Sequence, residues 1–361
     1  MNIGIDIRCL TTVSGIPVYV ENILKELEKI DISNNYHLFE IDGVDYIPTN
    51  KLWNKILIKS PIPLSISMHF LFPYYFKKLK LDLFISFDFT VPIWFVKKTK
   101  RFVVVHDLSY LHFPKTMLWK RRFTNKLFTP ISMKISSSVI TVSNYMKKDI
   151  LNNYPNVSEK KISIIPSSSS NWKLPDNYDA KKRNRFLLFV GNFEPRKNIL
   201  NLIKALEVLK EEASFNEELH IVGPKGWNNQ TIFEYISKSN FKDNIIFRGF
   251  LSQDELISAY CSCKAFVFPS LYEGFGIPIL EALNSDCLII TSKGSAMQET
   301  LGDAAIYADP TDPRDIAKAI KSIYEPAFDR EKYLSLGKKI VQQYSWNKSA
   351  QLLYSLITKC V

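Results

Sequence analysis

None of the five cysteines (Cys9, Cys261, Cys263, Cys287 and Cys360) forms a C-x2-C pair, and the five histidines show no metal-ligand spacing. Neither zinc nor a disulfide framework is expected. Nothing in 1-MNIGIDIRCL-10 reads as a signal peptide, so a reducing cytoplasm is the expected setting. No G-x-G-x-x-G follows a strand-like run, which disfavours a dehydrogenase. No D-x-D pair is present to hold a divalent metal against a phosphate. No apolar run is long enough to cross a bilayer. The best candidate, 61-PIPLSISMHFLFPYYF-76, is short and carries three prolines, so it reads as core or interfacial.

At 361 residues, with 46% hydrophobic and 23% charged, the chain exceeds one ordinary core, and two domains are the natural prior. The net charge of +11 is uneven: residues 1–180 hold 24 Lys+Arg against 15 Asp+Glu, and the remainder 23 against 21. A basic first half suits nucleic acid or an anionic membrane surface. Without a helix-turn-helix or an RNP-like aromatic strand, nucleic acid is not the expected partner. The stretch 114-PKTMLWKRRFTNKLFTPISMK-134 mixes Lys and Arg with Trp, Phe, Leu and Met, the composition of either an interfacial helix or a solvated face on a core helix.

Short β-rich runs alternate with helical patterns, predicting an α/β chain with doubly wound parallel sheets. The runs fall at 2–6, 36–41, 82–87, 102–107, 138–143 and 162–166, then at 186–191, 219–223, 245–249, 265–270 and 287–292. Helical patterns include 198–212, 277–283 and 313–324. Polar 167-SSSSNWKLPDNYDAKKRN-184 reads as a linker. The expected organisation is a first Rossmann-like domain over 1–170, a linker at 171–184, a second over 185–343, and an amphipathic helix over 344–361, capped by Ser345.

The most informative segment is 269-PSLYEGFGIPILEALNSD-286. A buried strand leads into a glycine turn, and a helix follows with Pro278 in its first turn. Free N–H groups and the positive dipole end make such a turn an anion site. Glu273 and Glu281 flank it, and carboxylates accept paired sugar hydroxyls, so the pattern suits a diphosphate carrying sugars. A second block, 190-VGNFEPRKNILNLIKAL-206, ends a strand at Gly191 and brings Arg196 and Lys197 to a helix start opened by Asn198. Two cations there can hold a diphosphate and stabilise its departure without a metal. A third, 102-FVVVHDLSYLHFP-114, puts His106 at the end of an apolar strand, where ligand-facing residues belong. A histidine satisfied by Asp107 is the bland alternative.

Together these blocks resemble the retaining GT-B glycosyltransferases of family 4, over nearly the whole chain. The resemblance implies two Rossmann-like domains facing across a cleft, with the last helix crossing back to the first. It assigns Glu281 to the donor ribose, Glu273 to the donor sugar, Arg196 and Lys197 to the diphosphate, and His106 and Asp107 to the donor sugar and acceptor. The backbone of Gly274, Phe275, Gly276 and Ile277 would close on phosphate and sugar, and that of Phe250 and Leu251 on the base. The turn 222-VGPKGW-227 would border the pocket, with a structural role for Pro224 and Lys225 left open. His69, His112 and His220 match no motif and read as structural. Retention is expected by front-face attack, with the leaving phosphate taking the acceptor's proton.

The closest likeness is to mannosyltransferases of surface-polysaccharide assembly, implying GDP-mannose, with dTDP-rhamnose, UDP-glucose and UDP-N-acetylhexosamine open. The implied partners are that nucleotide-sugar co-substrate, a glycan or lipid-linked acceptor and an anionic membrane surface, with the protein cytoplasmic and peripheral at the inner face. No metal cofactor is expected. The family pattern is broken at Gly15-Ile16-Pro17, where a second glycine is usual, and at 166-PSSSS-170, where Pro-Asn-Gly is usual. Both changes concern the acceptor or hinge side. They keep open a catalytically inactive nucleotide-sugar- or glycan-binding subunit, beside a GT-B UDP-sugar epimerase.

Overall fold

The computed structural model describes the chain except residues 13, 61, 63, 95–97, 170–173, 175–185, 214, 225–229 and 361. The expected linker at 171–184, apart from Leu174, and Lys225 thus lie outside the described residues. The chain divides into two compact units, Met1–Ser168 with Ser345–Val361, and Ser169–Tyr344.

The first unit is built on seven strands: β1 (Asn2–Asp6), β2 (Asn35–Glu40), β3 (Trp53–Leu57), β4 (Leu83–Ser86), β5 (Lys100–Val104), β6 (Ser138–Thr141) and β7 (Ile162–Ile164). All pairs are parallel, in the order β3-β2-β1-β4-β5-β6-β7. Strands β4 and β6 are buried at every residue, as central parallel strands covered by helices on both faces must be. The helices are α1 (Gly15–Ile30), α2 (Leu64–Lys78), α3 (Ser109–His112), α4 (Trp119–Ile135) and α5 (Asn144–Asn153).

The second unit repeats the plan with six strands: β8 (Phe186–Val190), β9 (Glu218–Val222), β10 (Ile245–Gly249), β11 (Ala265–Phe268), β12 (Ile289–Ser292) and β13 (Ile306–Ala308). The parallel order is β10-β9-β8-β11-β12-β13. Its helices are α6 (Ile199–Ala213), α7 (Gln230–Lys238), α8 (Gln253–Ser262), α9 (Ile277–Asn284), α10 (Ala296–Leu301), α11 (Pro313–Ser322) and α12 (Arg330–Val341). In both sheets the chain starts in the middle, grows one way and then reverses. The reversal leaves crevices at the carboxyl ends of β1/β4 and β8/β11, the switch points where open α/β sheets bind ligands.

The last helix, α13 (Trp346–Thr358), belongs to the first unit and packs along α1. The Ser345 hydroxyl caps it by accepting from the Lys348 N–H. Trp346 meets Tyr19 edge-on at 5.7 Å, the Ser349 hydroxyl donates to the Pro166 carbonyl at 2.7 Å, and Tyr19 Oη donates to the Ile165 carbonyl at 3.1 Å.

Several elements differ from the sequence expectation. Strand β3 reads polar because it is an edge strand with one buried residue, and three-residue β13 is too short to carry a pattern. The apolar stretch at 61–76 lies mostly in α2, a helix that accommodates Pro73 in its interior. The stretch 114–134 begins as a 3-10 turn before α4 starts at Trp119. Helix α6 begins at Ile199 rather than Asn198, and Gly15 is the first residue of α1.

Replacing Trp346 by Ala removes a buried indole from the α1/α13 seam. The expected loss is about 3 kcal/mol of stability, read from the denaturant midpoint of the full chain.

Candidate active site

The loops after β8 and β11 meet at the second switch point. After β8 a 3-10 turn (Pro195–Lys197) places Arg196 and Lys197, and Asn198 then takes the left-handed conformation at φ 63°, which Asn tolerates better than most residues. The Asn198 amide donates to the carbonyls of Pro269 at 2.9 Å and Pro310 at 2.6 Å. The Leu271 N–H donates to the Arg196 carbonyl at 2.8 Å. The two loops are thereby sewn together through backbone.

Their side chains converge on one carboxylate oxygen. Lys197 Nζ lies 2.7 Å and Arg196 Nη1 3.1 Å from Glu273 Oε1, and the Ser270 hydroxyl donates to it at 2.7 Å. Arg196 Nε also pairs with Glu194 at 3.0 Å, and Lys197 stands over the Phe268 ring at 4.8 Å. All three charged side chains of the cluster are at most 17% exposed. Burial alone would raise the Glu273 pKa, but the Lys197 and Arg196 charges with the hydrogen bonds from Lys197 and Ser270 hold it at about 2. Burial, together with the Arg196 charge, lowers the Lys197 pKa against the opposing pull of Glu273.

Beyond Glu273, Gly276 adopts φ +91° and opens α9. The left-handed turn favours glycine there, and a Cβ would press on the Met297 side chain at 3.1 Å. Pro278, which has no N–H, sits in the first turn, and the Ile279 N–H donates to the Gly276 carbonyl at 3.0 Å, so Ile277 supplies the leading amide of α9 that lacks an intrahelical acceptor. The loop residues Gly274 and Phe275 are buried beside them. Glu281 occupies the second turn, where Tyr260 Oη of α8 donates to it at 3.2 Å. Burial, only partly offset by that bond, raises its pKa to about 7.

The neighbouring strand ends are zipped by backbone. The Gly191 N–H donates to the Val222 carbonyl and the Gly223 N–H to the Gly249 carbonyl, each at 2.9 Å. A Cβ on Gly223 would lie 2.2 Å from the Gly191 oxygen. Pro224 follows directly, and past Gly249, Phe250 is 73% exposed with Leu251 half-buried.

In the first unit His106 lies two residues past the end of β5 and is buried. Its partner is the Phe87 carbonyl, 3.0 Å from Nε2, so Nε2 carries the proton. Burial lowers its pKa, keeping the ring neutral. Asp107 does not satisfy it, as its Oδ1 accepts the Ser109 N–H at 2.9 Å. His69, His112 and His220 meet the Ile93 N–H, Asp149 and Glu218 respectively.

The first switch point holds a cavity of about 650 Å³ that sequence reasoning did not find. The loop after β1 lines it with Arg8, Cys9, Thr12 and Ser14, the loop after β4 with Asp88 and Thr90, and α4 with Trp119, Arg121 and Asn125. Arg8 is held bidentately by Asp6 at 2.8 and 2.7 Å, and Arg121 pairs with Asp88 at 3.1 Å. Asn125 is 6% exposed, and its Nδ2 has no hydrogen-bond acceptor among the described residues. These residues are dispersed in sequence, and only the sheet order brings them together. Ser270 and Tyr260 were likewise missed, although Ser270 precedes Glu273 by three residues in the informative segment.

Comparison with known proteins gives the fold and a set of similar proteins. A sucrose-phosphate synthase from Thermosynechococcus elongatus superposes with a TM-score of 0.78 at 20% identity, covering 99% of this chain and 98% of that one. The fold is GT-B. Residues 170–340, most of the second unit, match the family model described as Glycosyl transferases group 1. An O-antigen chain mannosyltransferase B from Escherichia coli is 29% identical over 252 residues, 67% of this chain and 65% of that protein. The O-antigen chain mannosyltransferase RfbU of Salmonella typhimurium is 32% identical over 221 residues, 61% and 60%. Each match spans less than two thirds of the relative's length.

The two carboxyls predict opposite pH effects on stability. Glu273 is more acidic folded, at about 2, than at its ordinary 4.5, so its contribution is present above 4.5 and is lost as pH falls toward 2. Glu281 keeps its proton in the folded chain up to about 7, so stability falls as pH rises from 4.5 through 7. Glu281→Gln should remove that second slope and stabilise the chain at pH 8 by on the order of 2 kcal/mol in denaturant titration. Lys197→Ala leaves a buried carboxylate with one cation fewer and should cost roughly 3 kcal/mol at pH 7.

Proposed function

We propose that the chain is a retaining, metal-independent glycosyltransferase that moves a hexose, mannose from GDP-mannose as first choice, onto a glycan acceptor on a lipid carrier in surface-polysaccharide assembly. It would work at the cytoplasmic face of a membrane. The observation that carries the reading is the meeting of Lys197 and Arg196 on Glu273 at the β8/β11 switch point, beside the N-terminus of α9. The mannosyl and O-antigen assignments rest on the likeness to the two bacterial O-antigen mannosyltransferases.

In this reading the donor diphosphate lies against Lys197, Arg196 and the Ile277 N–H at the start of α9. It competes with Glu273 for both cations, and Glu273 turns to accept hydroxyls of the donor sugar. Glu281, ionised on binding, accepts the paired ribose hydroxyls. The base would meet the backbone around Phe250 and Leu251. Transfer breaks the bond from the anomeric carbon to the phosphate oxygen, whose electron pair leaves with the diphosphate. The fixed cations stabilise that charge without reorganising. The acceptor oxygen bonds to the same face of the anomeric carbon, and its proton passes to the departing phosphate oxygen.

The acceptor's terminal saccharide fits the cavity of the first unit. Trp119 offers an aromatic face to sugar C–H bonds, while Asn125 Nδ2 and the Asp88/Arg121 pair offer hydrogen bonds to its hydroxyls. His106, neutral and bonded through Nε2, presents only Nδ1 to a ligand, which suits a positioning role rather than proton transfer.

Glu273→Ala should lower kcat at least a thousandfold in EDTA while GDP still raises the Tm. Glu281→Ala should weaken GDP binding itself and remove its strengthening as pH rises through 7. Asn125→Leu should raise the acceptor KM about tenfold with the donor KM unchanged. Wild-type turnover in both glutamate variants would refute the site.

A further inference from the structure

Two helices of the first unit present exposed apolar stripes at helical spacing. On α2, Ile66, Phe70 and Tyr74 recur every fourth residue and are 44–62% exposed. On α4, Trp119, Phe123, Leu127 and Ile131 do the same at 36–73%. Buried side chains fill the opposite faces, with Phe72 and Phe76 on α2 and Phe128 and Met133 on α4. A chain of ring contacts joins the helices: Phe70 meets Trp94 at 4.7 Å, Trp94 meets His69 at 5.3 Å, and His69 meets Phe128 at 4.5 Å. The two helices are therefore neighbours, and each carries an exposed stripe beside that junction. Folding alone does not require so many large apolar groups at i, i+4 in water.

The charge around them has one sign. Residues 46–81, which contain α2, include six lysines and no Asp or Glu, and residues 108–148, which contain α4, include eight Lys or Arg and no Asp or Glu. Lys120, Arg122 and Lys126 alternate with the stripe of α4, and Lys77 and Lys78 close α2; all five are exposed. Apolar rings flanked by long cationic side chains match the boundary of an anionic bilayer. There the rings enter the acyl edge while the ammonium and guanidinium groups stay among lipid phosphates. No helix among the described residues is long and apolar enough to cross a membrane, so the contact lies in the surface plane.

We propose that the α2/α4 face docks the protein on an anionic phospholipid bilayer. A soluble acidic partner would match the lysines but not the two apolar stripes, and a second copy of this chain would oppose cation to cation. The surface also touches the proposed acceptor site, because Leu118 and Trp119, which begin α4, line the 650 Å³ cavity. A saccharide on a lipid carrier would then enter from the bilayer side, a corollary that rests on the proposed transferase activity. The docking itself does not.

The test is flotation of the full chain with vesicles of phosphatidylcholine alone and of phosphatidylcholine with phosphatidylglycerol at roughly 30%, at low and high salt. The expected result is binding to the anionic vesicles only, weakened at high salt. Phe70→Ser with Phe123→Ser should reduce the partition coefficient at least tenfold, as should Arg122→Glu with Lys126→Glu. None of these four residues lines the cavity or the donor site, so GDP thermal shifts should be unchanged, which confirms folding. Equal binding to neutral vesicles, no vesicle binding, or a dimer in sedimentation equilibrium that Phe70→Ser dissociates would each overturn the proposal. Vesicle binding without transferase activity would sink the functional reading and leave the docking surface standing.

Discussion

Two cations and one carboxylate sharing a buried oxygen set the terms for the rest of the second unit. Lys197 and Arg196 would be poorly stable so far from water without Glu273, and Glu273 would be protonated without them. Holding them requires two loops from different parts of the chain to meet within hydrogen-bond distance. Asn198 in its left-handed conformation, the Leu271 N–H and Ser270 accomplish that. The sheet order makes it feasible, because β8 and β11 are neighbours only where the winding reverses. In the proposed function, a diphosphate would compete with Glu273 for the same two cations.

The two carboxylates of the E-x7-E segment look equivalent in sequence, but the structure separates them. Glu273 sits among cations and is ionised at any ordinary pH, while Glu281 sits under Tyr260, and burial raises its pKa to about 7. Environment separates them, one balanced against two buried cations and the other held by a neutral phenol. No spacing rule carries that distinction.

The alternation of apolar runs with helical patterns was enough to read parallel, doubly wound sheets, because fully buried strands such as β4 and β6 leave an unbroken apolar signature. Edge elements left less trace: β3 exposes most of its residues, and β13 has only three. At the site, contiguous blocks displayed Arg196, Lys197, Glu273 and Glu281 because each loop carries its own chemistry. The cavity of the first unit was invisible for the opposite reason. Arg8, Asp88 and Asn125 come from three separate segments, each unremarkable alone, and only the β1/β4 crevice assembles them. The Phe87 carbonyl as partner of His106 was equally out of reach, since a backbone acceptor has no sequence identity.

The central claim is that the Lys197–Arg196–Glu273 cluster is a diphosphate site needing no metal. Its most direct test is the Tm shift produced by GDP, GMP and guanosine in EDTA, for the wild type and Lys197→Met. The account predicts a shift with GDP that shrinks for GMP, vanishes for guanosine, and is largely lost in the variant. An equal GDP shift in wild type and Lys197→Met, or a shift that appears only when magnesium is added, would contradict it.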